Sequence, residues 1–394
     1  MMPSKMSIYS WYLYDFANTV YATVAMTFFI PLIIGQLSNE STAMYVNSFS
    51  VFMQAIFCIS SGGLADYGSY KKSMLVLTTW VGGLSCVFIG LSINLYFIIV
   101  FVVLSNVAYG VSLVIYNAYL PFIVREHIDE MQPDSITQVS PVDEDLISSQ
   151  FSSYGFAWGY VGGVLCLFVC AIANLFVEGL MGKQLSLIIA GLWWLGFGSI
   201  SFISLKAYPG EELPAQIKRK LTFTASTAHS QFLTQIRSMY HTIYTTWVYI
   251  SFSWQRLFIT VKNYRKLPNT FKFLISFALF ADAAQTMTTI AILFAQTELK
   301  VSDKDLLINA MLIPLIAAVG NVFWLSLQKR MKWSSQKTLT IVLFIVILVP
   351  LYAAMGKYTT HYFLHENWEI YPVCIVFGFT LGINYLYRSM ASIK

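Results

Sequence analysis

Ten long apolar runs divide the chain, at residues 10–35, 43–64, 73–91, 95–123, 151–174, 185–205, 271–295, 306–327, 338–355 and 369–388. Each is close to the about 20 residues that a helix needs to cross the hydrocarbon core of a bilayer. Backbone N–H and C=O groups find no water there and must be satisfied within their own segment, so each run reads as a helix. The expected fold class is an all-α polytopic membrane protein with ten spans. Composition agrees: charged residues make up 11% of the 394 positions, against about 25% in a soluble domain. So few charges do not cover a water-facing surface.

An even number of spans returns both termini to one side, and lysine and arginine decide which. With the N-terminus cytoplasmic, Lys183, Lys300, Lys304 and Lys357 fall on the far side, and every other Lys or Arg of the 24 falls on the cytoplasmic side. The net charge of +5 therefore reads as a topology signal rather than a nucleic-acid surface. Lys5 precedes a long apolar run with no small-residue cleavage site, which marks a retained first span rather than a signal peptide. Cys58, Cys86, Cys166, Cys170 and Cys374 all lie inside apolar runs, so neither a disulfide framework nor a zinc site is indicated.

Two loops are long. Residues 124–150 carry seven acidic residues with Pro133 and Pro141 and are expected to be disordered. Residues 206–270 form a cytoplasmic linker between a six-span bundle (1–205) and a second bundle (271–394). Within the linker, Phe232, Ile236, Met239, Ile243, Trp247, Ile250, Trp254, Leu257 and Val261 recur at steps of three or four, the pattern of an amphipathic helix. Lys218, Arg219 and Lys220 flank one end, and Lys262, Arg265 and Lys266 the other. Basic flanks on both sides favour a helix lying at the cytoplasmic interface over an eleventh span.

The loop after the second run reads Gly62-Gly63-Leu64-Ala65-Asp66-Tyr67-Gly68-Ser69-Tyr70-Lys71-Lys72. Glycine permits a tight reversal, and aspartate accepts from free N–H groups at a helix start. A repeat links the halves: Asp15-Phe16-Ala17-Asn18-Thr19 opens the first, and Asp282-Ala283-Ala284-Gln285-Thr286 the second. Duplicated halves are a transporter architecture. Asp15, Asn18 and Thr19 share one helix face by spacing, as do Asp282, Gln285, Thr286 and Thr289. A carboxylate inside a span is costly. It is either a neutral group hydrogen-bonded between helices or a cavity group that meets solute or proton.

The loop pattern between spans two and three resembles the signature loop of the major facilitator superfamily, with Gly63, Asp66, Gly68, Lys71 and Lys72 as its conformational residues. The resemblance narrows further. Ser10-Trp11-Tyr12-Leu13-Tyr14-Asp15-Phe16-Ala17-Asn18-Thr19, Tyr116-Asn117-Ala118-Tyr119-Leu120-Pro121 and Ser152 to Gly163 look like the family of autophagy-related vacuolar amino-acid effluxers. Phe273-Leu274, leading to Asp282 and Gln285-Thr286, fits as well. The likeness extends over nearly the whole chain. It implies a multi-pass protein of the vacuolar membrane that exports amino acids, neutral and apolar ones, from lumen to cytosol. The implied partners are the lipid bilayer, the solute and protons, with no cofactor. Asp15 or Asp282 is then expected to meet the substrate ammonium or to carry a proton. Asn18, Thr19, Asn117, Gln285 and Thr286 are expected to supply neutral hydrogen bonds.

Ala283 stands where the family pattern has glycine, and that pattern continues for two further spans beyond Arg388-Ser389. The second half thus reads as four of six spans, and the chain alone is expected to transport poorly. The same fold carrying another small solute, or a membrane scaffold that transports nothing, are the alternatives. Gly155, Gly159 and Gly163 form a small-residue face suited to close helix packing. His361 and His365 are a weak metal signal, and Asn39-Glu40-Ser41 is a glycosylation sequon on the expected lumenal side. No nucleophile elbow, phosphate loop or metalloprotease motif is present, so nothing supports an enzyme.

Overall fold

A computed structural model describes residues 3–131, 141–210, 214, 234–297, 303–355 and 367–392. Lys218, Arg219, Lys220, Phe232, His361 and His365 lie outside the described residues. Helix α1 (Pro3–Val20) runs through π turns (Tyr21–Phe29) into α2 (Ile30–Leu37). It is followed by α3 (Glu40–Asp66), α4 (Lys71–Leu91), α5 (Leu95–Asn117), α6 (Leu120–Met131), α7 (Pro141–Phe176) and α8 (Gly179–Ser204). The linker contributes α9 (Thr234–Lys262). The second half holds α10 (Pro268–Thr297), α11 (Asp303–Met331), α12 (Ser335–Met355), α13 (Ile370–Leu381) and α14 (Asn384–Ser392). Among the described residues, nine helical stretches are long and apolar enough to cross a bilayer. The predicted run 271–295 is helical throughout, as α10, but is not one of those nine.

The protein is inverted relative to a soluble one. Leu77, Phe88, Leu91, Phe97, Phe168 and Ile203 are exposed, while Ser105, Asn106, Ser152, Ser153, Asn321 and Gln328 are buried. With lipid outside there is no hydrophobic drive between helices, so close approach and interior hydrogen bonds hold them together. The glycine face of α7 illustrates this. A Cβ added at Gly155 would lie 2.8 Å from the Trp11 ring, at Gly159 2.5 Å from the Thr19 hydroxyl, and at Gly163 2.7 Å from that of Thr23. At Gly162 it would lie 2.3 Å from the Phe16 carbonyl oxygen. Gly162→Ala is therefore expected to lose about 1–3 kcal/mol through overpacking. Gly196→Ala, where nothing lies within 4 Å of the added carbon, should be neutral. Thermal unfolding of the purified variants checks both.

The aromatic motif of α1 folds as core. Trp11 is fully buried, stacks on Tyr116 with ring centroids 4.6 Å apart, and donates its indole N–H to the Tyr116 carbonyl at 3.1 Å. The Tyr14 hydroxyl pairs with Thr79 at 2.9 Å, and that of Tyr21 donates to Asn106 Oδ1 at 2.7 Å.

The expected disorder of 124–150 does not hold for its flanks. Helix α6 runs on to Met131 and α7 begins at Pro141. Ile123, Val124 and Phe151 are buried, with Ile128 and Ile147 packed beside them. The acidic residues are also engaged: Glu126 takes Lys206 and the Tyr208 hydroxyl, and Asp145 accepts from the Ser335 hydroxyl at 2.8 Å. Counting charge hid this apolar stripe. Residues 132–140 lie outside the described residues.

The two halves meet along the first part of α7. Ser149 pairs with Ser389 at 2.9 Å, Ser152 donates to the Tyr385 carbonyl at 2.9 Å, and the Asn321 amide donates to the Ser153 carbonyl at 2.9 Å. At the opposite end of the bundle, Phe28 packs against Ile370 and Cys374.

Candidate solute cavity

Between the halves lies a cavity of about 1200 Å³. The first half lines it with Asp15, Thr19, Thr23 and Thr27, with Asn117 at the end of α5, and with Tyr160 of α7. In an α-helix a row of every fourth residue drifts around the axis. The π turns, with more residues per turn, drift the other way and keep the row on the cavity. The second half contributes the rings of Phe273, Phe277 and Phe280, then Asn309, Phe377, Asn384, Tyr387 and Arg388.

Three of the residues expected at the site, Asp15, Thr19 and Asn117, are on this wall. Asn18 is buried beside α5, its Oδ1 accepting from the Ser112 hydroxyl at 3.5 Å, and does not line the cavity. Asp282 and Thr286 are exposed, and α10 presents Ala281, Ala284 and Thr288 to the cavity instead. The side chains of Gln285 and Thr289 lie outside the described set. Spacing states which residues share a face. It does not state which face turns inward.

Arg388 is the residue that sequence reasoning missed. Its Nη1 donates to Asp15 Oδ2 at 2.9 Å, with the two side chains 4% and 2% exposed. Asp15 Oδ1 accepts from the Thr19 hydroxyl at 3.1 Å. The guanidinium lies 3.8 Å from the centroid of Phe156 and 4.9 Å from that of Tyr116. This ion pair joins α1 of one half to α14 of the other. Arg388 ends an apolar run and was therefore counted only as a topology charge. The available signal was a carboxylate inside the first span, which needs a cation to offset its cost, and a cation at the end of another span. Several lining atoms are buried without a hydrogen-bond partner: Asn117 Oδ1, both amide atoms of Asn309, the Tyr387 hydroxyl and Arg388 Nε. Unsatisfied polar atoms are costly in an interior.

In the loop between α3 and α4 glycine makes the reversal, whereas Asp66 is the last residue of α3 and no side chain caps the start of α4. Gly68 takes a positive φ of 78°, which only glycine adopts without strain. Lys71 is buried, its ammonium 4.1 Å from the Phe122 ring centroid. Lys72 donates to the Leu205 carbonyl at 2.6 Å and so caps the end of α8. The contact not foreseen is with the linker. The Gly63 N–H donates to Ser253 Oγ at 2.8 Å, Trp254 Nε1 donates to the Ser60 hydroxyl at 3.1 Å, and Arg256 donates to the Tyr67 hydroxyl. Helix α9 is thus docked on the end of α3 where the loop begins. Asp66 also lines the cavity. Asn39 of the sequon caps α3, its Oδ1 accepting from the Thr42 N–H at 2.7 Å.

The sequence matches the vacuole effluxer Atg22-like family over residues 35–393. The chain belongs to that family. Autophagy-related protein 22-1 of Aspergillus fumigatus is 27% identical over 443 residues, which cover 96% of this chain and 69% of the relative. The protein of the same name from Aspergillus niger is 28% identical, with 88% of this chain and 62% of the relative covered. The chain thus spans roughly two thirds of the length of these relatives. The xylose transporter XylE from E. coli superposes with a TM-score of 0.57 at 12% identity, over 99% of this chain and 87% of XylE. That likeness identifies the fold as the major facilitator type. Family and fold together describe a multi-pass membrane protein of the vacuole effluxer-like type and point away from an enzyme.

Proposed function

We propose that this vacuole effluxer-like chain exports neutral, apolar amino acids from the vacuole lumen to the cytosol. The observation that carries the reading is the composition of the cavity wall. A charged pair, Asp15 and Arg388, sits beside hydroxyl and amide groups, and the aromatic rings of Phe273, Phe277, Phe280 and Phe377 supply an apolar remainder. Such a wall suits a solute with a polar end and a hydrocarbon end. Asp15, Thr19 and Asn117 are its proposed polar contacts. The halves 1–205 and 271–394 are the proposed moving bodies, joined through 206–270, with Gly63, Asp66, Gly68, Lys71 and Lys72 as the conformational loop.

The placing of lysine and arginine supports cytoplasmic termini. Helix α9 then lies along the cytoplasmic surface. Its exposed Trp247, Phe258 and Ile259 face the headgroup region. An acidic lumen supplies the driving proton in this reading.

The test is flux in reconstituted vesicles. Leucine loaded inside at acidic pH is expected to leave faster than from vesicles without protein, whereas xylose is not. Leucine efflux no faster than the leak through protein-free vesicles, with or without the pH difference, would overturn the proposal, whereas efflux well above it would overturn the expectation that the chain alone transports poorly.

A further inference from the structure

We infer that the Asp15–Arg388 pair is itself the receptor for the α-ammonium and α-carboxylate of the substrate, so that a bound amino acid replaces the contact joining the two halves. The inference rests on the amino-acid reading above and goes beyond it by naming the cationic group and what binding breaks.

The argument starts from charge. Both side chains are almost wholly buried, at 4% and 2% exposure, and are 2.9 Å apart. Separating such a pair leaves two uncompensated charges in a medium that solvates them poorly. A cation alone satisfies Asp15 and strands Arg388. An anion alone does the reverse, and a neutral solute satisfies neither. A zwitterion with its charges one carbon apart supplies both partners at once. Each buried charge then exchanges one opposite charge for another, and no net charge enters the site.

The local geometry has the donors for it. Guanidinium offers five N–H groups in a planar fork that matches a carboxylate. Arg388 uses Nη1 for Asp15 and, at 3.5 Å, for Tyr116, while its Nε is buried with no partner. The Phe156 ring, 3.8 Å below the guanidinium, fixes the plane of the fork. On the other side, Asp15 Oδ1 and the Thr19 hydroxyl already form an acceptor group, 3.1 Å apart, that suits an ammonium. Because Asp15 belongs to α1 and Arg388 to α14, the solute that occupies the pair also releases one tie between the halves.

The experiment compares the full chain with its charge-free double variant, Asp15→Asn/Arg388→Gln. Removing both charges leaves neither unpaired, so this variant is expected to fold, as checked by size-exclusion profile and helical content. Leucine is expected to raise the melting temperature of the parent protein, whereas N-acetyl-leucine and leucine methyl ester, each lacking one charge, are not. In vesicles the double variant is expected to lose at least tenfold in leucine flux. Arg388→Lys, which keeps the charge but not the fork, should raise the leucine KM with a smaller change in maximal rate.

If the parent protein moves leucine and the double variant matches it, the inference fails while the amino-acid reading stands. Equal stabilisation by the singly charged derivatives would also overturn it. A parent protein that neither binds nor moves leucine overturns both.

Discussion

Arg388→Gln, with Asp15 left in place, is expected to cost about 3–5 kcal/mol of stability, and adding Asp15→Asn is expected to restore most of it. The reason is asymmetry. A buried ion pair gains little over a neutral pair, because desolvating the two charges offsets their attraction. A single buried carboxylate at 2% exposure has no such compensation. Phe156, whose ring lies 3.8 Å from the guanidinium, loses its cation as well. Unfolding of the two single variants and the double variant in mixed detergent micelles completes the cycle. Additive losses, with the double variant the least stable of all, would show that the two charges act independently and that no compensating pair exists.

The second large effect is on motion. A Cβ built on Gly63 lies 3.6 Å from that of Ser253, inside the range of about 3.5–4.5 Å that a disulfide spans, but also 2.9 Å from the Tyr249 carbonyl oxygen, so the bridge forms only as α9 shifts slightly away from α3. Gly63→Cys/Ser253→Cys is therefore expected to cross-link under mild oxidation and to bind α9 covalently to α3. Gly62→Cys/Ser253→Cys is the control, since a Cβ at Gly62 meets nothing within 4 Å. With a protease site placed in the linker, the cross-link appears as two fragments that separate on a gel only after reduction. If rocking of the halves requires the loop to move against α9, oxidation lowers leucine flux at least tenfold and reductant restores it. Full flux in the fully cross-linked protein would mean that α9 and the loop travel as one body.

Sequence carried the fold a long way for a physical reason. Lipid imposes one solution on the backbone, so the length of an apolar run already names the element, and helix appears at each of the ten runs. The same rule says little about what happens between helices. Residues 124–131 were read from their acidic content, yet Ile123, Val124 and Ile128 bury a stripe that makes them helix. The amphipathic stripe of α9 was legible, but the docking face was not: Tyr249 and Ser253, off that stripe, are buried, whereas Trp247, Leu257 and Val261 on it stay exposed. That docking depends on Gly63 being small enough to admit Ser253, a pairing of residues 190 positions apart. At the site, spacing grouped Asp15 with Thr19 and Asp282 with Thr286. It left the rotation of each helix free, and α10 turned its other face inward. Arg388 was hidden by its position, since a cation at the end of an apolar run looks like an anchor until the partner helix is known.

The seam between the halves has a bearing on how it parts. Along α7 it is stitched by short hydroxyl and amide contacts, Ser149 to Ser389, Ser152 to the Tyr385 carbonyl and Ser153 with Asn321, whereas α1 and α7 interlock through glycine notches. A hydroxyl that lets go of a serine can take up a water molecule instead, and the net loss per contact is only about 0.5–1.5 kcal/mol. A side chain withdrawn from a glycine notch has no such replacement, because the void it leaves forfeits its packing contacts outright. Water can therefore enter the first kind of joint a contact at a time, and the second kind stays dry and shut. The chain is in effect built with a wettable joint between its halves and sealed ones within the first half, so hydration favours opening at the former.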